Sequence, residues 1–132
     1  MRTLGNFIWL VFGGLWSGLL WYVAGGLAAL SIVGLPWARA CFLLGSFTLW
    51  PFGRELVDRR FVTGKGDLGT GWLGMLGNVI WFLCVGWTLA VAHLAGALAS
   101  AATIIGLPFA LQHIKLALAS VAPIGKEVVA AR

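Results

Sequence analysis

The sequence predicts an all-α membrane protein made of two tandem, parallel-repeat helical hairpins with four hydrophobic helices, and three observations predict it. Segments 6–60 and 78–132 align without a gap at a constant offset of 72, so one unit is written twice and each inference has to hold in both copies. Of the 132 residues, 61% are hydrophobic and 10% are charged, where soluble proteins carry about a quarter charged residues. The few charges are also segregated: only Arg39 is ionised between Thr3 and Gly53, and only Lys115 between Leu68 and Gly125. Each copy is an apolar block far longer than the roughly 20 residues that one spanning helix needs.

The first element of each copy, 6–30 and 78–102, is apolar and free of proline. At about 1.5 Å per residue it makes a helix long enough to cross a bilayer with some tilt. Ile-x-Gly-Leu-Pro follows in both copies (Ile32, Gly34, Leu35, Pro36; Ile104, Gly106, Leu107, Pro108). Glycine suits a helix end and proline a first turn, so the repeat turns Gly34, Pro36, Gly106 and Pro108 read as stop and restart. A register that folds the first block at Gly25 and Gly26 ranks second, because the equivalent Ala97 and Leu98 have no turn chemistry.

The second elements, Trp37–Trp50 and Phe109–Ala122, are short: about 21 Å if helical, against a hydrocarbon core of about 30 Å. They cross by recruiting the turn, lie at the interface, or re-enter on one face. Pro-x-Gly-basic-Glu closes each copy (Pro51, Gly53, Arg54, Glu55; Pro123, Gly125, Lys126, Glu127). The organisation is a first repeat over 1–60, a Gly-rich basic linker over 61–75 and a second repeat over 76–132.

Charge sets the expected topology. Arg2, Arg54, Arg59, Arg60, Lys65, Lys126 and Arg132 flank the apolar blocks, whereas the two turns carry none. Parallel hairpins gather all of these cations on one face, as the positive-inside tendency requires, with both termini cytoplasmic; an inverted arrangement divides them. Trp9, Trp50, Trp72 and Trp81 fall near helix ends, where indole favours the interface, and Trp16, Trp21 and Trp87 read as packing residues. Met1-Arg2 before an apolar run resembles a signal peptide, but the block recurs at Asn78 and is too long for an h-region. Cys41 and Cys84 fall at non-equivalent repeat positions and read as small buried hydrophobes.

Composition excludes several function classes. The acids Glu55, Asp58, Asp67 and Glu127 have no histidine or serine placed to make a base and nucleophile, and the histidines and cysteines lack metal-ligand spacing, so no enzyme, cofactor or metal centre is expected. The net charge of +5 is accounted for by topology and headgroup attraction rather than by nucleic acid. The candidates are the polar residues inside apolar stretches, which mark function in membranes by default: Arg39, His93, Gln112, His113 and Lys115. Small residues one turn apart, Gly14 with Gly18 and Ala92 with Gly96, provide close helix packing or an oligomer face.

The paired motifs Asn-x-Ile-Trp (Asn6, Ile8, Trp9; Asn78, Ile80, Trp81), Ile-x-Gly-Leu-Pro and Pro-Phe-Gly-Arg-Glu, with Ile124 and Lys126 varying the last in the second copy, resemble the YccF family of bacterial inner-membrane proteins over nearly the whole chain. The resemblance implies a duplicated, multi-pass inner-membrane component domain and no particular activity. The leading expectation is a homo-oligomeric channel or transport-class protein in membrane lipid, for an ion or small solute. Arg39 and Lys115 favour an anion if they line the pathway. The competing reading is a scaffold or accessory subunit docking a larger membrane partner, and a third is lipid handling by the basic loop Arg54–Lys65.

Overall fold

A computed structural model describes residues 1–132. The chain runs α1 (Arg2–Leu30), α2 (Leu35–Leu49), β1 (Arg54–Asp58), α3 (Arg59–Thr63), α4 (Trp72–Ala101), α5 (Leu107–Val121) and β2 (Lys126–Ala130). The segments Arg2–Leu30, Ile32–Leu49 and Trp72–Ala101 are long and apolar enough to cross a membrane, and α5 is a shorter apolar helix. The two hairpins and four hydrophobic helices of the sequence reading are present. The long helices begin four and six residues earlier than their apolar pattern suggests, so the end of the expected linker belongs to α4.

The repeated motifs hold each hairpin together. Asn6 Nδ2 donates to the Phe52 carbonyl at 3.0 Å and the Phe52 amide donates to Asn6 Oδ1 at 2.9 Å; Asn78 clamps Ile124 in the same way at 3.1 and 2.8 Å. One helical turn on, Trp9 Nε1 donates to the Thr48 carbonyl and Trp81 Nε1 to the Ser120 carbonyl. Those carbonyls end α2 and α5, where backbone groups have no intrahelical partner. Trp9 and Trp81 are therefore clamps within the hairpins, and of the expected packing residues Trp21 alone is buried, while Trp16 and Trp87 are exposed.

Both turns use a hydroxyl cap: the Gly34 amide donates to Ser31 Oγ and the Gly106 amide to Thr103 Oγ1. A Cβ at either glycine would collide with the carbonyl oxygen of Ala28 or Ser100. Gly53 and Gly125 sit at φ +87° and +86°, the left-handed region that side chains disfavour, and they swing the chain from each hairpin into a strand. Each long helix also carries a π-helical turn at an equivalent place, Leu10–Gly14 and Phe82–Gly86. The first departs from helical angles at Gly13 (φ 163°, ψ −24°).

Two features differ from the sequence reading. The tails of the repeats form an antiparallel ribbon, Arg54 opposite Ala130 and Asp58 opposite Lys126. Its centre is Leu56 opposite Val128, which are equivalent positions of the two copies. The hairpins are also related by this pseudo-twofold and lie antiparallel, where flanking charge predicts them parallel. Trp9, at the start of α1, stacks on Phe109 at the start of α5 with centroids 6.3 Å apart, and Trp37, at the start of α2, donates to the Gly77 carbonyl near the start of α4. Leu44 packs with Ala119 and Phe47 with Leu116, so α2 and α5 run in opposite directions. The ribbon decides this: it lies across α2 and α5 with Leu56 and Val128 against their apolar cores, which fixes the turn of one hairpin beside the open end of the other.

Cations consequently lie at both ends of the bundle and along one flank. Arg2, Arg54 and the C-terminus share one end, where the Ala131 amide donates to the Gly53 carbonyl. The linker occupies the other end, where the Arg59 amide donates to the Gly125 carbonyl. There Arg59 is buried and forks onto Asp67, Nε to Oδ2 at 2.7 Å and Nη2 to Oδ1 at 2.9 Å. That bidentate bond holds the Asp67 carboxyl far below the ordinary carboxylate range and raises Arg59 in turn. Beside it, the side-chain bond from Arg60 lowers Asp58 to about 2.

Candidate functional site

The five intramembrane candidates are dispersed, except for one pair. His93 and His113 meet across α4 and α5 with Nδ1 to Nδ1 at 3.2 Å. Arg39 reaches Glu127 on β2 at 3.9 Å. Lys115 Nζ donates to the Arg54 carbonyl at 3.3 Å and lies on the ribbon flank with Glu55 and Lys126. Gln112 is buried with Oε1 unpartnered. The two cations that would favour an anion therefore stand apart, each with its own oxygen partner.

Duplication explains why the histidines meet. Their counterparts in the first copy are Trp21 and Cys41, which pack together in the apolar core between α1 and α2. The second copy keeps that helix contact and replaces both apolar members with imidazole. The pseudo-twofold brings the ring of Trp81 onto Trp21, centroids 5.8 Å apart, whereas the smaller His93 leaves space opposite Trp9. A cavity of about 470 Å³ results, lined by Trp9, Ser17, His93, Thr103, Phe109 and His113 among others.

Each wall has a local cause. Trp9 is pinned by its bond to Thr48 and meets the His113 ring edge-on at 4.9 Å between centroids. Gly96 makes room for His113, since a Cβ there would stand 2.9 Å from the imidazole. Ser17 Oγ donates to the Gly13 carbonyl at 2.7 Å, beside the break in α1; π-turns of this kind recur at functional sites. Polar lining comes from the two imidazoles and the hydroxyls of Ser17, Ser100 and Thr103, with no carboxylate or amine in the wall.

The chemistry open to such a pair follows from the tautomers of imidazole. One neutral ring donates Nδ1–H and the other accepts at its bare Nδ1. One added proton leaves a cationic ring donating to a neutral one, a shorter and stronger bond; a second would set two N–H groups head to head. The geometry accommodates one added proton and opposes a second. Sequence reasoning singled out both histidines and missed Trp9, Ser17 and Thr103; the paired replacement of Trp21 and Cys41 was the signal.

The small residues are accounted for differently. A Cβ on Gly14 would meet the Trp9 indole and one on Gly18 the Leu49 side chain, so both serve packing within the first hairpin, as Gly96 does within the second. Ala92 is exposed.

A family model described as the YccF inner membrane component domain matches the chain twice, over residues 4–54 and 76–126. Two curated relatives named "Inner membrane protein YccF", from Escherichia coli (strain K12) and Shigella flexneri, are each 34% identical over 132 residues, covering 98% of this chain and 88% of the relative. No solved structure matches the chain.

Proposed function

The chain belongs to the YccF inner membrane component family, and on the premise that it is an inner-membrane protein with apolar helices we propose that it is a proton-coupled transport protein for a small solute. The observation that carries this reading is the histidine pair facing the cavity beside a broken helix. Secondary transporters are commonly built from repeats of opposite direction, with sites near the bilayer midplane at discontinuous helices, and the antiparallel hairpins and the Gly13 break supply both features. His93 and His113 take up and release one proton, while Trp9 and Phe109 offer an aromatic wall to the solute. The ribbon flank carries Glu55 and Lys115 partway along an apolar bundle. Exposing such charges to lipid costs about 2.5–3.5 kcal/mol each at the centre of a helix, which favours a homo-oligomer with these flanks turned toward one another.

The test is proton flux in liposomes holding the purified protein and a pH-sensitive dye. Under an imposed gradient, flux rises above that of protein-free liposomes, and His113→Ala or His93→Ala abolishes it. Equal flux with and without the protein, over a panel of gradients and small solutes, rejects the reading. Native mass spectrometry of a strictly monomeric protein bound to a dominant partner would instead support an accessory subunit.

A further inference from the structure

A second cavity lies at the opposite end of the molecule, between the first turn and the start of α4. Its volume is about 220 Å³, and its polar wall holds Arg39, Arg59 and Lys126. It adjoins an apolar cavity of about 310 Å³ walled by Trp37, Leu73, Leu76 and Ile80, and the two share Pro36, Leu68, Gly69 and Ile124. The groove therefore passes from cationic to apolar within a few residues.

The three cations differ in how far they are neutralised. Arg59 is spent on Asp67, which takes two of its N–H groups. Arg39, with its side chain 65% exposed, has only the 3.9 Å contact to Glu127, and Lys126 forms no ion pair. Asp58, opposite Lys126, is taken by Arg60, so four cations against the three carboxylates Asp58, Asp67 and Glu127 leave an excess of one positive charge at the polar end. Exposed Trp72 and Leu68 flank the groove at the helix start, the position indole takes at a membrane–water interface. In the second copy Leu111 and Ala131 replace Arg39 and Arg59.

We propose that this groove binds one anionic phospholipid, its phosphate on Arg39 and Lys126 and an acyl chain along Trp37, Leu73, Leu76 and Ile80. Basic pockets between membrane helices take headgroups by this charge complementarity, and the apolar half selects a lipid over a free anion. The site stands apart from the histidine cavity and does not depend on the transport reading.

The full chain, purified in a neutral detergent and exposed to phosphatidylglycerol or phosphatidylcholine, is read by native mass spectrometry. One phosphatidylglycerol is retained per chain in preference to phosphatidylcholine, and the double variant Arg39→Gln/Lys126→Gln retains at least about tenfold less. Arg132→Gln removes a cation at the opposite end of the bundle, and it leaves retention unchanged. Inorganic phosphate in excess does not displace the lipid. Equal retention by the double variant, an equal loss in Arg132→Gln, or displacement by phosphate overturns the proposal. Because a double variant can misfold, a photoactivatable phosphatidylglycerol is also applied to the unaltered protein. Crosslinks in 36–40 or 72–80 support the site, and crosslinks confined elsewhere reject it.

Discussion

At the scale of single residues, the asparagines hold more of the fold than their number suggests. Asn6 is fully buried and satisfies both backbone groups of Phe52, so Asn6→Ala strands a donor and an acceptor in an apolar interior. Unmade buried hydrogen bonds cost about 1–3 kcal/mol each, and thermal scans in detergent should show a loss of roughly 2–4 kcal/mol. Asn78→Ala should behave alike in the second hairpin, and a neutral result at both would mean that water replaces the clamp. The carboxylates of the linker end set an acid limit. Asp58 is lowered to about 2 and Asp67 further, so each contributes stability above its unfolded pKa of about 4, and the contribution fades as pH falls through the folded value. Limited proteolysis after brief exposure to pH between about 4 and 2 should open the segment around Arg60 first, and Asp67→Asn should open it at neutral pH.

At the scale of elements, the sequence carried the helices well and the ribbon hardly at all. Hydrophobic runs, prolines and the Gly-Leu-Pro turns placed α1, α2, α4 and α5 within a few residues, because each is a local property of its own segment. The strands are five residues each, with charges mixed among Leu56, Val57, Val128 and Val129, and each finds its partner 72 positions away. A repeat that pairs with itself must do so about equivalent positions, so the centring on Leu56 and Val128 was implicit in the duplication once a strand was suspected. The π-turns had no sequence signal of their own. The histidine cavity was half legible: its ionisable members stand out in an apolar context, while its walls depend on the antiparallel packing of the hairpins. Gly96→Ala tests how finely that wall is set. The new methyl pushes the His113 ring and, since a hydrogen bond weakens steeply beyond its narrow distance range, proton flux should fall by at least about tenfold, with an unchanged helical circular dichroism spectrum. Retained flux would show that the ring has room to yield.

At the scale of the whole molecule, the arrangement of the hairpins decides what faces which compartment. Flanking cations alone argued for one charged face, but the Trp9–Phe109 stack and the Trp37–Gly77 bond set the hairpins antiparallel. Were the helices to cross the bilayer in this arrangement, both termini would lie on one side and the linker on the other. In intact cells, an impermeant thiol reagent should therefore separate Lys65→Cys from Arg132→Cys in a background lacking Cys41 and Cys84, labelling only one of the two without permeabilisation. Labelling of both from the same side would mean that the bundle lies along the membrane surface instead of crossing it.

The ribbon has a consequence for how the molecule is made. β1 emerges from the ribosome directly after the first hairpin, whereas its partner follows only after the second hairpin has been made. Until β2 follows, the nascent first hairpin carries β1 with both of its edges open, a template for pairing with neighbouring chains. Pairing thus waits for the whole second hairpin. A stop codon placed before β2 should yield two inserted hairpins that fail to lock, and whose exposed edges recruit one another.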